Sequence, residues 1–129
     1  MKTVLVIDHD ASVRSLMYRI LEEEGFHAVG APNGVIGMQL YRELEPDLVV
    51  TGIIMPEKDG IEVIIEVLEQ KHSAPVMAVS GGSRGLDAAF NLDFAQRFGA
   101  VTVLPKPFSR REFLNEVNKS LETGRNSSE

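Results

Sequence analysis

The chain has 129 residues, of which 43% are hydrophobic and 25% charged, with a formal net charge of -6 and no cysteine. That size and composition fit a single globular domain and argue against disorder, while the lack of cysteine excludes disulfides, thiolate metal sites and a Cys nucleophile. The acidic balance disfavours a direct grip on nucleic acid and no apolar run is long enough to span a bilayer, so the expectation is a cytoplasmic protein without direct nucleic-acid or membrane contacts.

In chain order, apolar runs of β type alternate with helical periodicity five times. "KTVLVID" (2–8) is the first predicted strand; Val13, Leu16, Met17, Ile20 and Leu21 then follow the i, i+3, i+4, i+7, i+8 spacing of one buried helical stripe. "HAVGA" (27–31) is the second strand, followed by a less regular helix over about 33–45. "LVVTG" (48–52) is the third, and Ile61, Ile64, Ile65 and Leu68 mark the stripe of a helix that Asp59, with Glu62 behind it, is placed to cap. "APVMAVS" (74–80) is the fourth strand; "SGGSRG" reads as a flexible turn into a helix over about 85–98. "VTVL" (101–104) is the fifth, and the last helix opens at Ser109-x-x-Glu112, a capping box, with Phe113, Leu114, Val117 and Leu121 as its apolar face. The closing "ETGRNSSE" is polar and reads as a frayed tail.

Strands alternating with helices on short connections imply a doubly wound α/β sandwich with a parallel sheet. In such sheets functional residues gather outside the carboxyl ends of the strands. Here those ends offer Asp8, His9, Asp10, Gly52, Ser80 and Lys106. Carboxylates, a hydroxyl and a lysine in one crevice suit an oxyanion such as phosphoryl with a divalent metal. The glycines after Ser80 lack the Lys-Ser/Thr of a P-loop and the spacing of a dinucleotide site.

"VLVIDHD" followed by Arg14, "PDLVVTGIIMPEKDG", "VMAVSGG" and "GAVTVLPKPF", in this order and spacing, resemble a response-regulator receiver domain of two-component signalling. The resemblance covers about residues 2–122 and implies a flavodoxin-like five-stranded sheet of order 2-1-3-4-5, a receiver domain over 1–122 and a flexible tail or linker stub over 123–129. It further implies a histidine kinase, phosphotransfer protein or output protein as partner, Mg²⁺ as cofactor, and no enzyme activity of the module's own. Matched residue by residue, the acidic pair after the first strand falls on Asp8 and His9, the Mg²⁺-binding carbonyl on Ile54, the switch hydroxyl on Ser80 and the phosphate-pairing lysine on Lys106. The phosphoacceptor Asp falls on Gly52.

Three departures follow. Gly52 removes the oxygen nucleophile that phosphoryl transfer requires. His9 stands where a carboxylate helps hold Mg²⁺, a hard ion that prefers oxygen. Val103 occupies the position of the aromatic residue that swings inward in many receivers. A carboxylate about 4 Å from a cation contributes ~4 kcal/mol per unit charge at an effective dielectric near 20 before desolvation, so losing two of three weakens Mg²⁺ binding severely. Thr51, one residue earlier on the strand, points to the opposite face and is not expected to substitute. The expectation is a receiver-like module that lacks phosphorylation and acts through protein contacts, on a face formed by the segment 85–98, the fifth strand and the last helix.

Alternatives remain at individual positions. Asp10 is either a metal ligand or the cap of the first helix, and His9 either a loop residue or a metal ligand. Lys106 is expected to pair with Asp8 when residue 52 is Gly. Arg84, Arg97, Arg110 and Arg111 form either a basic patch or a solvated set. For the whole chain, one alternative is an ordinary phosphorylated receiver in which Asp was deliberately replaced by Gly at 52. The other is a haloacid-dehalogenase-type phosphatase, which "DHDAS" also resembles, with Asp8 as nucleophile and Asp10 as acid/base.

Overall fold

The computed structural model describes residues 1–55, 57–71, 73–80, 93 and 95–127. β1 (Thr3–Ile7), α1 (Ala11–Glu23), β2 (His27–Ala31), α2 (Gly34–Leu44), β3 (Leu48–Gly52), α3 (Gly60–Leu68), β4 (Val76–Ser80), β5 (Thr102–Pro105) and α4 (Arg110–Ser127) follow in chain order. Every strand pairing is parallel, and the sheet order is β2-β1-β3-β4-β5, as expected from the sequence. Of the helix expected over 85–98, residues 95–97 are helical, while 85–92 and the turn before them lie outside the described residues.

Alternation along each strand divides the apolar residues between two layers. Leu5, Ile7, Val49 and Ala78 pack with α2 and α3 on one face of the sheet. Val4, Val6, Val50 and Met77 pack with α1 and α4 on the other. All eight are fully buried, each of the larger side chains contributing roughly 1.5–3 kcal/mol and the Ala78 methyl less, which fixes the strand register and with it the residues delivered to the carboxyl edge.

The helices start where their caps place them. Asp10 accepts from the backbone N–H of Ser12 and Val13, Asn33 from that of Ile36, and Asp59 from that of Glu62. At α4 the expected capping box is complete: Ser109 N–H donates to Glu112 Oε1 at 2.8 Å, and Glu112 N–H donates to Ser109 Oγ at 3.0 Å. The buried stripe of α3 differs from the expected one. Gly60, Val63, Ile64 and Val67 face the sheet, while Ile65 and Leu68 are exposed. The cause is Gly60, where a Cβ would lie 2.1 Å from the Gly52 carbonyl oxygen, so the helix is pressed on β3 along the stripe that starts there. α4 continues to Ser127, into the segment expected to fray, and Thr123 donates back to the Lys119 carbonyl at 3.0 Å.

A side chain also braces the far end of the sheet. The Tyr41 hydroxyl accepts from the Ala74 N–H at 2.9 Å, just before β4. Burial pushes the Tyr41 phenol above its ordinary value of 10.0; the Ala74 bond opposes the rise and Glu45 adds to it. Tyr41→Phe leaves that N–H without its partner and is expected to lower stability by about 1–2 kcal/mol in denaturant unfolding. Because the folded-state pKa is raised, the stabilisation by Tyr41 is fully present below the ordinary phenol value and lost as pH climbs through the higher one. The Phe variant is expected to lack that component of alkaline loss.

Candidate functional site

Asp8, directly after β1, is fully buried and all its polar atoms are engaged. Its N–H donates to the Ala31 carbonyl at 3.1 Å, and its carbonyl accepts from Arg14 Nη1 at 2.7 Å. Carboxylate Oδ1 accepts from the Asp10 N–H at 2.9 Å, and Oδ2 from Lys106 Nζ at 2.8 Å. The expected Asp8–Lys106 pair is therefore present, and it is largely shielded from water, with side-chain exposures of 1% and 14%. A buried pair offsets its desolvation only when remaining lone pairs are also satisfied, which the Asp10 N–H accomplishes.

Gly52 ends β3 beneath this pair. A Cβ built on it would lie 3.1 Å from Asp8 Oδ2 and 3.6 Å from Met55 Cγ. The Asp8 carboxylate thus lies against the space a residue-52 side chain would enter. The positive-φ glycines among the described residues are Gly25 and Gly99, so the backbone at 52 does not demand glycine. Thr51 points away, as strand alternation requires; it is fully buried and its hydroxyl donates to the Gly52 carbonyl at 2.9 Å.

Ser80 closes β4 and is buried, with its carbonyl accepting from the Lys106 N–H at 2.8 Å. Asp8, Gly52, Ser80 and Lys106 are thus brought together. The other predicted positions are not in the same contact set. His9 is about half exposed, its Nδ1 3.9 Å from Asp8 Oδ1, beyond hydrogen-bond length. Ile54 is 62% exposed in the loop after β3. Val103 pairs with Ala78 and packs, half-buried, in the α2–α3 layer. Asp10 serves as a cap; the Val13 N–H lowers its carboxyl pKa, burial opposes this, and Ser12, Lys106 and His9 add to the lowering.

Two supports escaped the sequence reading. The Arg14 stem lies across Gly30, and its guanidinium holds the Asp8 carbonyl. Lys58 in the β3–α3 loop pairs with Glu66 of α3, which also receives Arg42 Nη2 of α2 at 2.7 Å. Each joins different elements or a loop to a helix, at separations of 6, 8 and 24 residues, so no spacing within a single element announces it. Of the basic set, Arg97 pairs with Asp93 at 3.0 Å and Arg110 with Glu23 and Glu24 at 2.6 and 2.9 Å; Arg111 is exposed, and Arg84 lies outside the described residues.

A parallel sheet of order 2-1-3-4-5 with an aspartate, a hydroxyl and a lysine at its carboxyl edge defines a flavodoxin-like signalling fold. The chain belongs to the response regulator receiver domain family, whose description matches residues 4–118. It is a receiver domain of a two-component system. Transcriptional regulatory protein CpxR of Escherichia coli (strain K12) is 32% identical over 121 residues, covering 94% of this chain and 50% of that protein. This chain spans about half the length of that curated relative. Chemotaxis protein CheY of Halobacterium salinarum is 35% identical over 121 residues, 93% of this chain and 97% of that one. Among solved structures, the receiver domain of NtrX from Brucella abortus superposes with a TM-score of 0.85 at 26% identity, covering 93% of this chain and 98% of that one.

Removing either member of the central pair strands a buried charge. Lys106→Met is expected to lower stability by about 3 kcal/mol. Adding Asp8→Asn is expected to cost less than the sum of the two single changes, a coupling of ~1–3 kcal/mol measurable by a double-mutant cycle in urea.

Proposed function

We propose that this receiver domain signals without aspartyl phosphorylation, through contacts with a histidine kinase, phosphotransfer protein or output protein. The observation that carries the reading is the Asp8–Lys106 pair closing over Gly52. By resemblance, residue 52 is the phosphoacceptor position, and glycine has no oxygen to attack phosphorus. The lysine that would pair with a phosphoryl group is 2.8 Å from Asp8 instead. In this reading residues 1–122 are the receiver unit and 123–129 a connecting segment. The docking face in this reading includes β5 and α4, with Val103 in place of the aromatic switch; residues 85–92, expected to complete it, lie outside the described residues.

Mg²⁺, which receiver domains generally bind, does not fit the residues present. Among the described residues no group of three or more His, Cys, Asp or Glu side chains is placed to hold a metal ion. Asp8 has both oxygens engaged, position 9 offers imidazole nitrogen and position 52 offers no side chain. No helix among the described residues is long and apolar enough to cross a membrane.

A second reading, an ordinary receiver altered by an Asp-to-Gly change, draws support from the backbone at 52. The atoms nearest a Cβ there belong to side chains and not to backbone, the closest being Asp8 Oδ2 at 3.1 Å. The phosphatase reading gains nothing from the geometry, since the Asp10 carboxylate is turned to the Ser12 and Val13 N–H groups.

Intact-mass measurement after incubation with acetyl phosphate and Mg²⁺ tests the proposal. The unaltered chain is expected to gain no phosphoryl mass, Gly52→Asp to gain it slowly, and Gly52→Asp with His9→Asp at least about tenfold faster, because a further carboxylate then faces the cation. A stable acyl phosphate on the unaltered chain would overturn the proposal, and acetyl phosphate hydrolysis abolished by Asp8→Asn would replace it with the phosphatase.

A further inference from the structure

Among the described residues, two that are not glycine have positive φ, Glu45 at 46° and Glu57 at 68°. Glu45 follows α2, and a left-handed residue is a common way to end a helix. Glu57 ends no helix. It lies in the loop between β3 and α3, where a left-handed conformation crowds its Cβ against its own backbone and costs free energy. Such a conformation persists only where surrounding contacts impose it.

Those contacts begin at the next residue. The Lys58 carbonyl is pressed on the start of α2, since a Cβ on Gly34 would lie 2.7 Å from its oxygen. Lys58 Nζ donates to Glu66 Oε1 of α3, and Glu66 Oε2 accepts from Arg42 Nη2 of α2 at 2.7 Å. One carboxylate thus ties the loop to two helices. Two residues beyond Lys58, the Gly60 N–H donates to the Ile53 carbonyl at 2.7 Å and closes the loop. The closure abuts the end of β3, because a Cβ on Gly60 would lie 2.1 Å from the Gly52 carbonyl oxygen. The ionic part is accessible: the Lys58 and Glu66 side chains are 23% and 21% exposed, within reach of salt and of charged groups on a docking protein.

We propose that Glu66 is a latch on a strained loop. With Lys58 held by Glu66, the loop stays closed and Glu57 stays left-handed; when the pair is released, relaxation of Glu57 opens the loop at the Gly60–Ile53 bond, beside Gly52. The device belongs to the fold and does not depend on whether residue 52 can carry a phosphoryl group.

Amide hydrogen exchange at Gly60, with the amides of β1 as reference, tests the latch. Glu66→Gln removes two partly exposed ion pairs and is expected to speed exchange at Gly60 roughly three- to tenfold while leaving β1 unchanged. Adding Glu57→Gly, which relieves the left-handed strain, is expected to return the rate most of the way to that of the unaltered chain. Glu116→Gln, which removes a pair with Lys119 on α4 at the same 21% carboxylate side-chain exposure, is expected to change nothing at Gly60. Unchanged exchange at Gly60 in Glu66→Gln would overturn the proposal, as would a rise shared by β1 or by Glu116→Gln, or one that Glu57→Gly does not reduce.

Discussion

The site depends on one buried ion pair. Asp8 follows β1 and Lys106 follows β5, and the sheet places β3 and β4 between those strands. Three strand spacings make roughly 14 Å, which a lysine and an aspartate span only by reaching toward each other across the carboxyl edge. Their 2.8 Å contact therefore passes over the ends of the two intervening strands, at Gly52 and Ser80. A residue-52 side chain would meet the pair, since its Cβ would already be 3.1 Å from the Asp8 carboxylate. Glycine clears the path, and the Arg14, Ala31 and Asp10 contacts hold Asp8 in place to use it.

This arrangement makes the crevice self-sufficient. Where a bound cation would neutralise a cluster of carboxylates, here a single carboxylate is neutralised by a single lysine and each of its oxygens has a donor. The loop after β3 has its own brace in the Lys58–Glu66–Arg42 cluster, which links it to α2 and α3. In the proposed reading, order at the carboxyl edge comes from these internal contacts, and the surface offered to partners is set by packing.

The sheet order was legible because strands covered on both faces are nearly continuous in apolar residues, as in "VLVI", "LVV" and "VMAV", and because caps such as Asp59 and Ser109-x-x-Glu112 announce helix starts. The contact of Asp8 with Lys106 was legible from the resemblance together with the missing side chain at 52. The α3 stripe was misread because Ile61, Ile65 and Leu68 satisfy helical spacing as well as Val63, Ile64 and Val67 do. What decides between them is the contact of Gly60 with the Gly52 carbonyl, a tertiary constraint that periodicity does not contain. Arg14 and the Lys58 cluster were invisible as supports for the same reason. The expected fraying after residue 122 rested on polarity, yet Thr123 satisfies its hydroxyl on the preceding turn and the helix continues.

The central claim is that the Asp8–Lys106 pair leaves the crevice nothing to do with phosphoryl chemistry. Amide chemical shifts recorded while Mg²⁺ and then beryllium fluoride, a mimic of the acyl phosphate, are added test it most directly. The account predicts that the amides of Asp8, Gly52, Ser80 and Lys106 stay where they are in the unaltered chain. Saturable shifts at those four residues would contradict it, because they would mean that the pair opens to admit the metal and the phosphoryl mimic.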